Sequence, residues 1–267
     1  LFFDTYLTSA SINTMNLGFI GTGEITKAVV LGITKSNIKY SKIYISKRNN
    51  SNSEYLSKIN HKVKIFDDNQ KIIDKSDWIF LAVTPIVGKK ILKNLNFKKT
   101  NTIISFISTI KMSELKNLTN RNATIVRAIP LPPISNRKGP IPIYPKNKKI
   151  KKFFNNLGDC IEINNEISSL NFWATSSLMA PYYEILFETS KWLQSKGLKK
   201  TSAQKYITSL FFALSHQAFL NSNKDLGKLV KNSQTPRGLN EQTLKFLKKQ
   251  NFYKKLKYSL NEILKRL

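Results

Sequence analysis

The 267-residue chain is 41% hydrophobic and 11% aromatic, which places it among globular proteins rather than disordered ones. Its 44 basic and 16 acidic residues leave a net charge of +28, yet the lysines are spread along the whole length. With no arginine-rich segment interleaved with aromatics, that charge reads as solvated surface, and neither specific nucleic-acid binding nor membrane attachment is expected.

The single cysteine, Cys160, has no second thiol for an internal disulfide, which fits a reducing, cytoplasmic compartment. His61 and His216 lie far apart without a cysteine or acidic cluster beside them, so no metal site is expected. No apolar run reaches the ~18 residues that would suggest a membrane-spanning helix. Residues 1–14 precede Met15, which reads as a natural start, and lack the basic start of a signal peptide; they are expected to be a disordered extension or sequence upstream of that start.

From Met15 the pattern changes. Asn16–Ile20 is a short apolar run ending at Gly21-Thr22-Gly23-Glu24-Ile25-Thr26, after which Ile25, Ala28, Val29, Gly32 and Ile33 recur at helical spacing. A strand, a tight glycine turn and a helix in succession are the context of a dinucleotide fingerprint. Gly21 permits the sharp turn, Gly23 lets backbone approach a pyrophosphate, and the helix start presents free N–H groups to that anion. Thr26 stands where a third glycine or alanine is usual, so the fingerprint is incomplete.

The second predicted strand, Lys42–Ile45, ends in Ser46-Lys47-Arg48 with no acid to accept bonds from a ribose 2′-hydroxyl. Hydroxyl and cations suit a 2′-phosphate instead, which favours NADPH. Further strands are predicted at Val63–Phe66, Asp77–Val83, Thr102–Phe106 and Ala123–Arg127, with a helix at Asn69–Lys75. Strands alternating with helices imply a parallel sheet covered on both faces, with its ligand at the strands' carboxyl ends.

From Glu166 strand signals give way to helical periodicity. Leu170, Trp173, Ala174, Ser177 and Leu178 share one face, Tyr183, Leu186, Phe187 and Ser190 another, and Ile207, Leu210, Phe211, Leu214 and Ala218 a third. These aromatic-rich stripes suit either a core within the chain or burial against a partner chain. Phe252–Leu267 reads as a basic amphipathic helix on the outside of the molecule. The expected architecture is α/β: a Rossmann domain over 15–164, then an all-α domain over 165–267.

In order and spacing, several segments resemble the pyrroline-5-carboxylate reductase family: Gly18–Gly23, Asp68-Asn69, Leu81–Pro85, Val126–Pro130 with Pro133 and Gly139, Ala180–Tyr183, Ser195–Leu198 and Thr235–Gly238. The resemblance implies reduction of a carbon–nitrogen double bond by NADPH, most simply pyrroline-5-carboxylate to proline. It implies that Asn69 meets the adenosine part of the cofactor, while Ala82, Thr84 and Ser108 line the nicotinamide side; Val83 and Pro85 are further candidate cofactor contacts. It also implies a homodimer through the C-terminal helices, and substrate contacts from Pro181, Asn223, Arg237, Gly238, Leu239 and Asn240.

This chain departs from the family chiefly around the substrate. The family's Ser-Pro-Gly-Gly-Thr-Thr loop reads Thr235-Pro236-Arg237-Gly238-Leu239-Asn240, in which Asn240 alone of the last two positions can hydrogen-bond. Asn240 is therefore the candidate catalytic residue. Arg237 is either a carboxylate clamp or a surface residue at a helix start. Asn223 stands where an acid is common, and Ser176–Pro181 is bulkier than the family's glycine-bearing run. Two other readings remain: a reductase or dehydrogenase of the same architecture acting on a different small substrate, and an NADP-binding protein without catalysis. A β-hydroxyacid dehydrogenase is disfavoured because 174–183 contains no lysine.

Overall fold

The computed structural model describes residues 14–267. The expectation of a disordered extension therefore lies, apart from Thr14, outside the described residues.

The chain first alternates strand and helix: β1 (Met15–Ile20), α1 (Glu24–Thr34), β2 (Tyr40–Ser46), α2 (Asn50–Ile59), β3 (Val63–Phe66) and α3 (Asn69–Lys75). The alternation continues through β4 (Trp78–Leu81), α4 (Pro85–Leu92), β5 (Thr102–Ser105), α5 (Met112–Leu118) and β6 (Thr124–Ala128). A 3-10 turn at Pro132–Asn136 leads to β7 (Pro140–Tyr144), α6 (Lys148–Phe154) and β8 (Asp159–Glu162). These strands form one sheet in the order β3-β2-β1-β4-β5-β6-β7-β8. The order reverses beside β1, which opens a crevice at the carboxyl ends of β1 and β4.

Buried strands supply two cores at once. On one face Leu17, Phe19, Ile43, Ile45, Trp78 and Phe80 pack against α1, α2 and α6; on the other Ile20, Ile79, Leu81 and Ile103 pack against α3, α4 and α5. Phe19 and Phe80 stack across β1 and β4 at 4.4 Å, close to the crevice. The near-continuous apolar strands follow from burial on both sides.

The expected wholly parallel sheet needs correction, because β7 runs antiparallel to β6. β7 and β8 were not anticipated. Pro140 and Pro142 argue against a strand because proline donates no ladder hydrogen bond. Pro142 is accommodated by accepting from Ile129 N at 3.0 Å. The helix α2 was not anticipated either: Asn49 caps it by accepting from Asn52 N at 3.1 Å, and Leu56 anchors it in the core.

The helices that follow are α7 (Glu166–Ser176), α8 (Met179–Ser195), α9 (Lys200–Leu220), α10 (Leu226–Asn232), α11 (Leu239–Lys249) and α12 (Phe252–Arg266). By packing, the chain separates into two compact units between Trp173 and Ala174, within α7; residue 164, the expected boundary, lies in the loop before that helix. Pro181 sits in the first turn of α8, where a missing N–H costs nothing. In the second unit only Ala174, Ser190, Ala203 and Ile207 are buried. The expected apolar faces of α8 and α9 thus stay largely uncovered within one chain: Phe187 and Leu214 are more than half exposed. No helix of the described residues is long and apolar enough to cross a membrane.

Candidate functional site

Two hollows of about 460 and 540 Å³ open at the carboxyl ends of β1 to β4 and share Gly21, Arg48, Asn50 and Val83. Volumes of this order suit an extended small molecule. Ser46, Lys47 and Asn69 line the first, with Asp67; Thr22, Gly23, Ala82 and Thr84 line the second, with Asn49 and Val87.

The turn between β1 and α1 is built for a close approach. Gly21 has φ +97°, and a Cβ there would stand 2.3 Å from the Ala82 carbonyl, so both conformation and space demand glycine. At Gly23 a Cβ would meet nothing within 4 Å. Gly23 is the N-cap of α1 and gives it no side-chain cap, so the first turn turns its N–H groups to the space beside Gly23. An anionic pyrophosphate fits this cradle.

Buried hydroxyls brace the turn. Thr26 donates from Oγ1 to the Gly21 carbonyl at 2.7 Å, Gly21 N donates to Ser46 Oγ at 3.0 Å, and Thr22 Oγ1 donates to the Ser46 carbonyl. With the Thr22 proton used there, the 3.1 Å contact between the two hydroxyls has Ser46 as donor. Ser46 is 5% exposed and its hydroxyl is committed to the turn, and the cations Lys47 and Arg48 line this end of the cleft. Glu24 accepts from Asn52 Nδ2 at 3.0 Å, and Ile25 packs against the core; both belong to the turn's support.

Several residues were missed in the sequence. Asp67, at the end of β3, pairs with Lys47 at 3.4 Å, so an acid does border this end of the cleft. Its signal was its place just before Asp68-Asn69, where Asp68 caps α3 by accepting from Gln70 N. Asn52, 3% exposed, also donates to the Thr22 carbonyl at 3.3 Å and ties α2 to the glycine turn. At the far side, Pro85 opens α4, and Ser108, in the loop after β5, accepts from Arg127 through its carbonyl.

Residues 16–109 match the family model described as NADP oxidoreductase, coenzyme F420-dependent. Pyrroline-5-carboxylate reductase 2 of Bacillus subtilis (strain 168) is 24% identical over 259 residues, covering 94% of this chain and 93% of the relative. Crystal structures of 1-pyrroline-5-carboxylate reductase from Streptococcus pyogenes superpose with a TM-score of 0.83 at 18% identity, over 95% of this chain and 98% of that one. The NADP-bound pyrroline carboxylate reductase of Plasmodium falciparum gives 0.81 at 21% identity, over 94% and 96%. Over nearly its whole length the chain is similar to pyrroline-5-carboxylate reductases, and it shares their fold.

Set beside that reductase family's substrate loop, the second unit has its own geometry. Arg237, where the family carries glycine, adopts the left-handed conformation with φ 62°. Its N–H donates to Glu241 Oε2 at 2.6 Å, and its carbonyl accepts from Gln242 Nε2 at 2.9 Å. Glu241 also holds Lys245 at 2.7 Å, and these contacts, Lys245 first, pull its pKa below the ordinary carboxylate value. Gly238 is the N-cap of α11 and provides no side-chain cap. Asn240 donates from Nδ2 to the Ser233 carbonyl at 2.8 Å, fastening α11 to the end of α10, while Leu239 is 82% exposed. Arg237 to Asn240 thus form one local group. Asn223 lies in the turn after α9 and Pro181 in α8; no hydrogen bond among the described residues joins either to that group.

Proposed function

We propose that the protein reduces a carbon–nitrogen double bond with NADPH, most simply pyrroline-5-carboxylate to proline. The observation that carries the reading is the uncapped α1 start beside Gly23, facing a cleft whose β2 end offers Lys47 and Arg48. Resemblance along nearly the whole chain to pyrroline-5-carboxylate reductases supports the substrate.

When bound, NADPH supplies the hydride. In this reading the α1 N–H groups hold the pyrophosphate, Lys47 and Arg48 the 2′-phosphate, and Asn69 the adenosine side. Ala82 to Pro85 and Ser108 orient the nicotinamide. Arg237, Gly238 and Asn240 engage the substrate carboxylate and imine, with Pro181, Asn223 and Leu239 as further substrate contacts. A carboxylate suits the guanidinium of Arg237 and the N–H groups at the start of α11. Catalysis on this plan is alignment of donor and acceptor carbons rather than covalent chemistry.

The active form in this proposal is a cytoplasmic homodimer joined through the C-terminal helices. Tyr183, Phe187, Trp192 and Phe212 are each more than half exposed in one chain, and covering them by a second copy would supply the apolar burial the unit lacks.

The test is to follow loss of reduced-nicotinamide absorbance with pyrroline-5-carboxylate, other cyclic imines and small keto acids. Turnover fastest with pyrroline-5-carboxylate is expected. Turnover confined to another substrate would move the reading to a reductase or dehydrogenase of different specificity. Tight NADPH binding with no turnover on the whole panel would leave an NADP-binding protein.

A further inference from the structure

Arg127, in β6, is the one charged residue buried among the described residues, at 2% exposure. Its Nη1 donates to Glu166 Oε1 at 2.8 Å and its Nη2 donates to the Ser108 carbonyl, while its Nε is buried without a partner. The same Glu166 oxygen accepts from Met112 N, the first residue of α5, at 2.7 Å. One ion pair therefore grips the loop between β5 and α5 at both ends, at Ser108 and at Met112.

That loop leans on the cleft. Ile107 and Ile110 are buried, and a Cβ added at Gly88 of α4 would lie 3.0 and 3.3 Å from their Cδ1 atoms and 3.5 Å from Val83 Cγ2. Val83 lines both hollows of the cofactor cleft. Val83 packs against the apolar cluster that holds Ile107 and Ile110, which joins the loop to the wall beside β4. A guanidinium withdrawn from water with one N–H unmet is a costly way to fill a core, and burial accordingly pulls the Arg127 pKa down against the opposing pull of Glu166.

We propose that Arg127 and Glu166 are positioning residues, which set the nicotinamide-side wall by holding the loop from Ser108 to Met112 against Val83 and Gly88. The proposal rests on the NADPH reading above. The arrangement acts through Val83 on the orientation of the reactive ring, whereas Lys47, Arg48 and Asn69, the adenosine and 2′-phosphate contacts of that reading, stand on other elements of the cleft.

The experiment compares wild type with Glu166→Ala, Glu166→Gln and Gly88→Ala. It measures the NADPH dissociation constant, the rise in nicotinamide fluorescence on binding, and kcat. Glu166→Ala should lose most of the fluorescence rise and at least tenfold in kcat, with NADPH affinity within threefold of wild type. Glu166→Gln keeps the acceptor oxygen and should recover most of the fluorescence rise. Should Glu166→Ala fail to fold, Gly88→Ala decides: its Cβ displaces Ile107 without touching the ion pair and should reproduce the loss at unchanged affinity. A wild-type fluorescence rise in folded Glu166→Ala, or in Gly88→Ala where Glu166→Ala does not fold, overturns the proposal, as does a loss that tracks NADPH affinity. The fluorescence needs no substrate, so a wild type that binds NADPH but turns over no imine would refute the proposed reaction while leaving this test intact.

Discussion

Thr26 Oγ1 lies 2.7 Å from the carbonyl oxygen of Gly21 and donates a buried hydrogen bond to it. The position usually held by a small third residue of the fingerprint therefore carries a brace. Gly21 is held at φ +97°, and its carbonyl would otherwise have one partner fewer in a buried turn. Thr26→Val keeps the shape and removes the donor. It should lower stability by about 1–3 kcal/mol and weaken NADPH several-fold, whereas Thr26→Ser should do neither. Thermal unfolding and cofactor titration on the three proteins check this.

NADPH should bind at least tenfold more tightly than NADH, a difference of about 1.4 kcal/mol. Lys47 is shared with Asp67 at 3.4 Å, and both are largely exposed. Removing the acid by Asp67→Asn should free Lys47 and widen the preference. Arg48→Ala should narrow it, because the charge facing the 2′-phosphate falls. Fluorescence titration of each variant with both cofactors is the measurement; equal affinities in the wild type would defeat the assignment.

Arg237 holds a left-handed conformation that costs a side-chain-bearing residue about 1–2 kcal/mol. Arg237→Gly should relieve this and hold or raise the melting temperature. If the guanidinium grips a carboxylate, the same change should raise KM at least tenfold. Asn240→Ala should lower kcat/KM by tenfold or more, as expected for losing a hydrogen bond worth about 1.5–3 kcal/mol, with NADPH affinity unchanged. Its tie to Ser233 predicts a small loss of stability as well. Steady-state kinetics beside calorimetry separates the effects.

Burial pushes the Cys160 thiol from an ordinary 9.0 up to about 11, with Glu162 adding to the rise. Alkylation of the folded protein should therefore accelerate some two pH units higher than that of a free thiol. In the unfolded chain the thiol ionises first, so it holds fewer protons than the native state between about pH 9 and 11. Stability should fall across that window, and less so in Cys160→Ser.

Much of the first unit is legible in sequence because its strands are short, apolar and separated by helical stretches: β1, β3, β4, β5 and β6 fall within two residues of the pattern. What hid β7 was proline, and what hid α2 was a run of asparagine and serine whose capping role depends on geometry. The cleft was legible at Gly21, Gly23 and Arg48. Asp67 and Asn52 were not, since their places depend on which strand lies beside β1 and how α2 folds back. Nor was Arg127 legible as a buried charge: its partners Ser108 and Glu166 are 19 and 39 residues away.

Ser46 has a consequence for redesign. The end of the second strand is the obvious place to install an acid when cofactor preference is to be reversed. Here that position's hydroxyl already receives Gly21 N and its carbonyl receives Thr22, deep inside the turn that shapes the pyrophosphate cradle. A carboxylate at 46 would be captured by those donors rather than offered to a ribose, and it would carry a charge into a place that water does not reach. A change of preference toward NADH is therefore better sought at the exposed pair 47 and 67 and at Arg48, because Ser46 serves the turn itself.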